Sequence, residues 1–142
     1  PAPTVDVQAY LAGHNNVRAA HGAPPLAWSA ALASKAQAWA DGCQFRHSGG
    51  ALGPVGENLA AGTGAFGAEA AVAAFAGDGC EFFSYDPAHP AFTHFTQVVW
   101  KATTQLGCGV AACDGIFDSR FGPATYHVCL YDPVGNVVGQ EQ

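Results

Sequence analysis

The chain has 142 residues, enough for one domain that buries roughly two-thirds of the surface its unfolded form exposes. Charged residues make up 11%, and the net charge is −6 with five dispersed basic residues, Arg18, Lys35, Arg46, Lys101 and Arg120. That balance argues against nucleic-acid binding and against docking to anionic lipid, and no run of eighteen apolar residues gives an integral membrane segment.

Thr4 or Asp6 can cap a first helix running to about His21, with Val7, Tyr10, Leu11, His14 and Val17 as its inward stripe. Gly22 stops it, and Pro24-Pro25 forces an extended link. Ser29 caps a second helix to about Asp41, with Leu32, Ala36 and Trp39 inward and Gly42 at its end. Cys43 to His47 alternates, which puts Cys43, Phe45 and His47 on one side if the segment is extended. Ser48 to Val55 is a Gly/Pro loop, and Gly56 to Ala61 begins a strand. A third helix is expected over roughly Ala68 to Phe83, weakened by Gly77 and Gly79.

Thr93 to Gly109 is the most informative stretch. Phe95, Val98 and Val99 recur at helical spacing, with His94 at the start of that turn. Thr103 and Thr104 break the pattern, and Leu106 to Val110 reads as a strand. Asp114 to Pro123 is a long connection. Thr125 to Tyr131 is the last strand, followed by a turn at Asp132 to Asn136. No internal repeat or linker divides the chain, so residues 1–142 form a single domain.

Five cysteines, Cys43, Cys80, Cys108, Cys113 and Cys129, lack the paired spacing of a zinc site. Disulfides in an oxidising compartment, with one thiol left over, are the expectation. The start, Pro1-Ala2-Pro3, reads as a processed end.

Four pieces resemble one family in order. They are His14-Asn15-Asn16-Val17-Arg18, Gly56-Glu57-Asn58-Leu59, His94-Phe95-Thr96-Gln97-Val98-Val99-Trp100, and Tyr126 to Asn136 with its Cys129, Tyr131, Pro133 and Gly135-Asn136. The chain resembles the CAP superfamily of cysteine-rich secretory proteins, venom antigens and pathogenesis-related class 1 proteins, most of all the fungal and plant members of that last group. The resemblance implies a secreted α+β protein. Its fold would be a three-layer α-β-α sandwich with a central antiparallel sheet, where periodicity alone gives only α+β.

The resemblance also implies a cleft of two histidines and two acids. Matched position by position these are His47, Glu57, His94 and, for the second acid, Glu81 four residues before Tyr85-Asp86, with Asp78 as the alternative. Imidazole nitrogen and carboxylate oxygen together can bind a divalent cation, zinc or magnesium. The same groups could do acid–base chemistry, or form a hydrogen-bonded cluster that only braces the fold. No nucleophile stands out, so an enzyme is not the leading expectation; a metal-assisted hydrolase is the alternative. Phe82, Phe83 and Phe92 flank the loop before His94 and could line an apolar groove for a sterol or fatty acid, which some relatives bind. The loop from Tyr85 to Thr93 is short and lacks flanking cysteines, which weighs against a sterol site. A third reading is a defence-related protein acting through protein contacts.

His14 and Arg18 are expected to be scaffold, and Tyr131 and Asn136 to brace the last turn. Asn58 could serve only to fix a turn. His21, His89 and His127 carry no matched role. The expected disulfides are Cys43–Cys113 and Cys108–Cys129, with Cys80 free. Cys108 and Cys129 sit in strands, where opposed Cα atoms lie about 4.5–5.5 Å apart. Pairing Cys108 with Cys113 is the rival, and the resemblance does not support it.

Overall fold

The computed structural model describes residues 5–48, 51–76, 97–117, 120 and 122–134. In chain order the elements are α1 (Val7–Ala20), β1 (Ala27–Trp28), α2 (Ala30–Asp41), β2 (Gly56–Thr63), α3 (Ala68–Ala76), β3 (Gln105–Cys113) and β4 (Ala124–Asp132). The strands form one sheet in the order β1-β3-β4-β2. β3–β4 and β4–β2 are antiparallel, whereas the two-residue edge strand β1 runs parallel to β3. The sheet is therefore antiparallel through its three long strands and mixed only at that edge.

Both faces of the sheet are covered. Tyr10 of α1 and Val72 and Phe75 of α3 pack against Leu106, Cys108, Cys129 and Tyr131. On the other face Leu32, Ala36 and Ala40 of α2 pack against Leu59, Ala111, Tyr126, Val128 and Leu130. Alternate residues of β4 thus serve opposite layers, as a period of two requires. This is the α-β-α sandwich, with α1 and α3 above the sheet and α2 below.

The helix ends follow local chemistry. The Asp6 carboxylate accepts from Ala9 N at 3.1 Å, and Ser29 Oγ accepts from Leu32 N at 3.2 Å. α1 closes at His21, and Gly22 turns the chain away at φ 76°. In α2 the fully buried positions are Ala36 and Ala40, while Trp39 is only partly buried. α2 lies almost on the backbone of β3: a Cβ on Gly107 would stand 2.3 Å from Ala33 N, and one on Gly109 would stand 2.5 Å from Gln37 N. The contact at Gly109 is sealed by Gln37. Its amide donates to Val110 O at 2.8 Å and accepts from Val110 N at 3.1 Å, completing an edge that β1 is too short to pair.

Two disulfides staple the sandwich. Cys108 and Cys129 are directly opposed in the β3–β4 register, Cα atoms 4.1 Å apart. Cys43–Cys113 joins the segment after α2 to the end of β3, Cα atoms 5.5 Å apart. The rival Cys108–Cys113 pairing is therefore excluded. Cys80 lies outside the described residues, as do His89, Asn136 and the expected part of the third helix beyond Ala76.

One segment departs from the sequence expectation. Cys43 to His47 alternates but is no strand; Cys43 takes φ 55°. The alternation therefore does not sort its side chains onto two faces. The segment is held instead by bonds to α2 and β4.

Candidate functional site

The segment that carries His47 is fixed from two sides. Trp39 Nε1 of α2 donates to Arg46 O at 3.0 Å, and the Arg46 guanidinium lies 5.8 Å from the centre of the Trp39 ring. Tyr126 of β4 donates its hydroxyl to Gln44 O at 2.6 Å and meets the Phe45 ring edge-on at 5.6 Å. Burial, with a smaller contribution from the Glu57 charge, pushes the Tyr126 phenol up to about 12, so it stays a neutral donor.

Glu57 comes from β2, opposite Leu130 of β4. Alternation along β2 puts it on the α2-facing side with Leu59, while Asn58 faces α1. Glu57 Oε1 lies 3.1 Å from His47 Nδ1 and accepts from Ser48 N at 2.9 Å. Its Oε2 accepts from Ser48 Oγ. The imidazole is open to solvent, with 61% of the His47 side chain exposed against 9% of that of Glu57. A carboxylate oxygen is an acceptor, so in this contact Nδ1 is the donor. Ser48 is the participant that sequence reasoning left inside a loop; its position beside His47 was the available signal.

Of the four expected cleft residues, His47 and Glu57 are together. His94, Glu81 and the alternative Asp78 lie outside the described residues, as do Phe82, Phe83 and Phe92. Among the described residues no group of three or more His, Cys, Asp or Glu converges. The end of the His94 segment is nonetheless located. Buried Gln97 presses its side-chain amide on Gly56, where a Cβ would stand 2.1 Å from Gln97 Oε1. Gly56 directly precedes Glu57.

The other polar residues form the frame. Arg18, fully buried, reaches four carbonyls: Pro24 O at 2.6 Å, Val98 O and Trp100 O at 2.9 Å each, and Thr103 O at 3.0 Å. It pins residues 98–103 to α1 through carbonyl oxygens rather than through a salt bridge. His14 Nδ1 donates to Tyr10 O at 2.8 Å, so its Nε2 accepts from the Tyr131 hydroxyl at 2.6 Å, which in turn accepts from Asn58 Nδ2 at 3.0 Å. Tyr131 thus braces the core between layers. His127, unassigned from sequence, is the second link: Nε2 donates to Phe66 O at 2.8 Å and Nδ1 accepts from Tyr10 OH at 2.7 Å. Desolvation lowers both imidazoles below their ordinary range, His14 to about 4. These two histidines are satisfied core groups.

Known proteins agree with this picture. Residues 11–131 match the cysteine-rich secretory protein family, CAP. The chain is 43% identical over 139 residues to secreted protein RBT4 of Candida albicans, covering 94% of this chain but 36% of that protein. It is 41% identical over 143 residues to pathogenesis-related leaf protein 6 of Solanum lycopersicum, covering 94% of this chain and 80% of that one. Among solved structures, NaASP2 with Zn2+ superposes with a TM-score of 0.74 at 23% identity, covering 94% of this chain and 82% of that one, a likeness of fold. The chain therefore belongs to the cysteine-rich secretory protein family.

Proposed function

We propose that this chain is a secreted binding protein whose His47–Glu57 cleft, completed by His94 and Glu81, holds a divalent cation, with a small apolar ligand such as a sterol or fatty acid beside it. The observation that carries the ion reading is the solvent-exposed imidazole of His47 with its Nδ1 against a buried carboxylate. Gln97, three residues after His94 in sequence, packs against Gly56, the residue before Glu57, and this supports the reading. A structural relative was crystallised with zinc. Secretion is supported by the two disulfides and by relatives named as secreted and pathogenesis-related proteins. The apolar ligand rests on Phe82, Phe83 and Phe92 flanking His94 in sequence.

Calorimetry with zinc and with magnesium tests the ion, and a fluorescent sterol or fatty-acid titration tests the apolar ligand. Stoichiometric ion binding lost in both His47→Ala and His94→Ala is expected. Binding untouched by either substitution, or no binding, overturns the reading. Ester or peptide turnover abolished by His94→Ala would instead establish the hydrolase.

A further inference from the structure

The two edges of the sheet are finished differently. On the β3 side, Leu106 O accepts from Ser29 N at 2.8 Å, and Gln37 takes both backbone groups of Val110. Leu106 and Val110 thus turn their peptide groups away from β4. Cys108 between them shares that direction, because ladder bonding alternates along an antiparallel strand. Cys108 and Cys129 are therefore a non-hydrogen-bonded pair, in keeping with Cα atoms 4.1 Å apart. Cys129 then aims its N–H and C=O at Asn58 of β2. By the same alternation Asn58, Ala60 and Gly62 bond β4, while Glu57, Leu59, Ala61 and Thr63 direct their backbone groups away from it, out of the sheet edge. Among the described residues, no backbone group bonds these four outward pairs.

An open edge is a template for another strand, and proteins usually block it with Lys, Pro, a bulge or a cover. β2 contains neither Lys nor Pro, and its register with β4 runs unbroken through eight pairs. We propose that β2 is a self-association edge. It pairs antiparallel with β2 of a second copy about a two-fold axis centred on a residue within Ala61 to Thr63, joining two four-stranded sheets into one. Such an axis sets odd-numbered residues against odd-numbered ones, so outward groups meet outward groups. Exposure places the axis: Leu59 and Ala60 are buried, whereas Ala61, Gly62 and Thr63 are partly exposed. The side chains there are small and uncharged. The one charge on β2, Glu57, falls at opposite ends of the paired stretch in the two copies, so like charges do not meet. A second copy fits better than a flexible peptide, because its strand is already extended and pairing orders little new chain. The interface is narrow and each copy carries a net charge of −6, so the dimer is weak. The pairing needs neither an ion nor an apolar ligand.

Amide hydrogen exchange, read residue by residue by NMR from micromolar to millimolar protein, tests the pairing. In dilute protein Asn58, Ala60 and Gly62 should be protected, and Ala61 and Thr63 should exchange fast. In concentrated protein Ala61 and Thr63 should become protected while sedimentation shows the mass doubling. Raised salt should promote the dimer by screening the charge on each copy. Ala61→Pro should abolish both changes with little loss of melting temperature, since proline there removes only an outward N–H. Ala60→Pro, which removes a ladder bond to β4, should melt clearly lower. Thr63→Lys, which sets a charge on the paired edge, should also keep the protein monomeric. A protein that stays monomeric at millimolar concentration overturns the proposal. Ala61 and Thr63 already protected in the monomer overturn it too, because another part of the chain then covers the edge. A dimer that survives Ala61→Pro and Thr63→Lys, or that salt dissociates, is held by a different surface and likewise overturns it.

Discussion

His14 of α1 and Tyr131 of β4 meet across the layer boundary, ring nitrogen to hydroxyl, at 2.6 Å. One turn earlier on α1, Tyr10 meets His127 of β4 at 2.7 Å with the roles reversed. Each histidine has its other nitrogen on a backbone carbonyl, so each can accept from its tyrosine only while neutral.

Acid should therefore loosen the α1–sheet boundary. Burial lowers His14 to about 4 in the fold, partly offset by its bond to Tyr10 O and reinforced by the nearby Arg18 charge; unfolded it returns to about 6.5. Its neutral-state contribution is complete above about pH 6.5 and is lost as pH falls through about 4, on the order of 3 kcal/mol in all. His127, also lowered, acts in the same direction. Urea denaturation from pH 7 to pH 4 should show the loss. His14→Gln should be less stable at pH 7 but decline less steeply. An identical slope in variant and wild type would show that His14 is not responsible.

Arg18 should be the most sensitive charged residue. Its side chain serves four carbonyls, three of them through buried bonds. Arg18→Met should cost about 3–5 kcal/mol, and Arg18→Lys should not recover it, because an ammonium cannot span the fork. Hydrogen exchange should quicken first at residues 98–103. A loss under about 1 kcal/mol would contradict this account.

The α2–β3 contact depends on missing side chains. Gly109→Ala drives a Cβ into the backbone of Gln37, which must move and take its paired bonds to Val110 with it. The expected cost is about 1–3 kcal/mol or more. Gly67→Ala, where a Cβ meets nothing within 4 Å, should stay within about 0.5 kcal/mol. Equal effects at the two sites in thermal melts would remove the steric explanation.

The bridges should be unequal in chain entropy. Cys43–Cys113 spans 70 residues and Cys108–Cys129 spans 21. Replacing Cys43 and Cys113 by Ser should cost about 2–5 kcal/mol, roughly 1 kcal/mol more than the shorter loop's entropy accounts for. Non-reducing peptide maps should show these two links and an unlinked Cys80 peptide. A linked Cys80 in the monomer would refute the scheme.

Local chemistry in the sequence was enough for the helix ends: Asp6, Ser29, Gly22 and Gly42 act within one turn of where they stand. Motif order was enough for the family, the layers and both disulfides. What it could not carry was anything set by contact between distant segments. β1 has two residues and exists only because Thr104 O and Leu106 O bond Ala27 N and Ser29 N, too short for any period to reveal. The alternation from Cys43 to His47 suggested an extended strip, but bonds from Trp39 and Tyr126 hold it as a loop. His127 had no role in sequence because its partners, Tyr10 and Phe66, lie 117 and 61 residues away. At the candidate site, the family resemblance nominated His47 and Glu57. Only the folded geometry showed that the His47 Nδ1 meets a carboxylate ten residues away, which Ser48 also bonds.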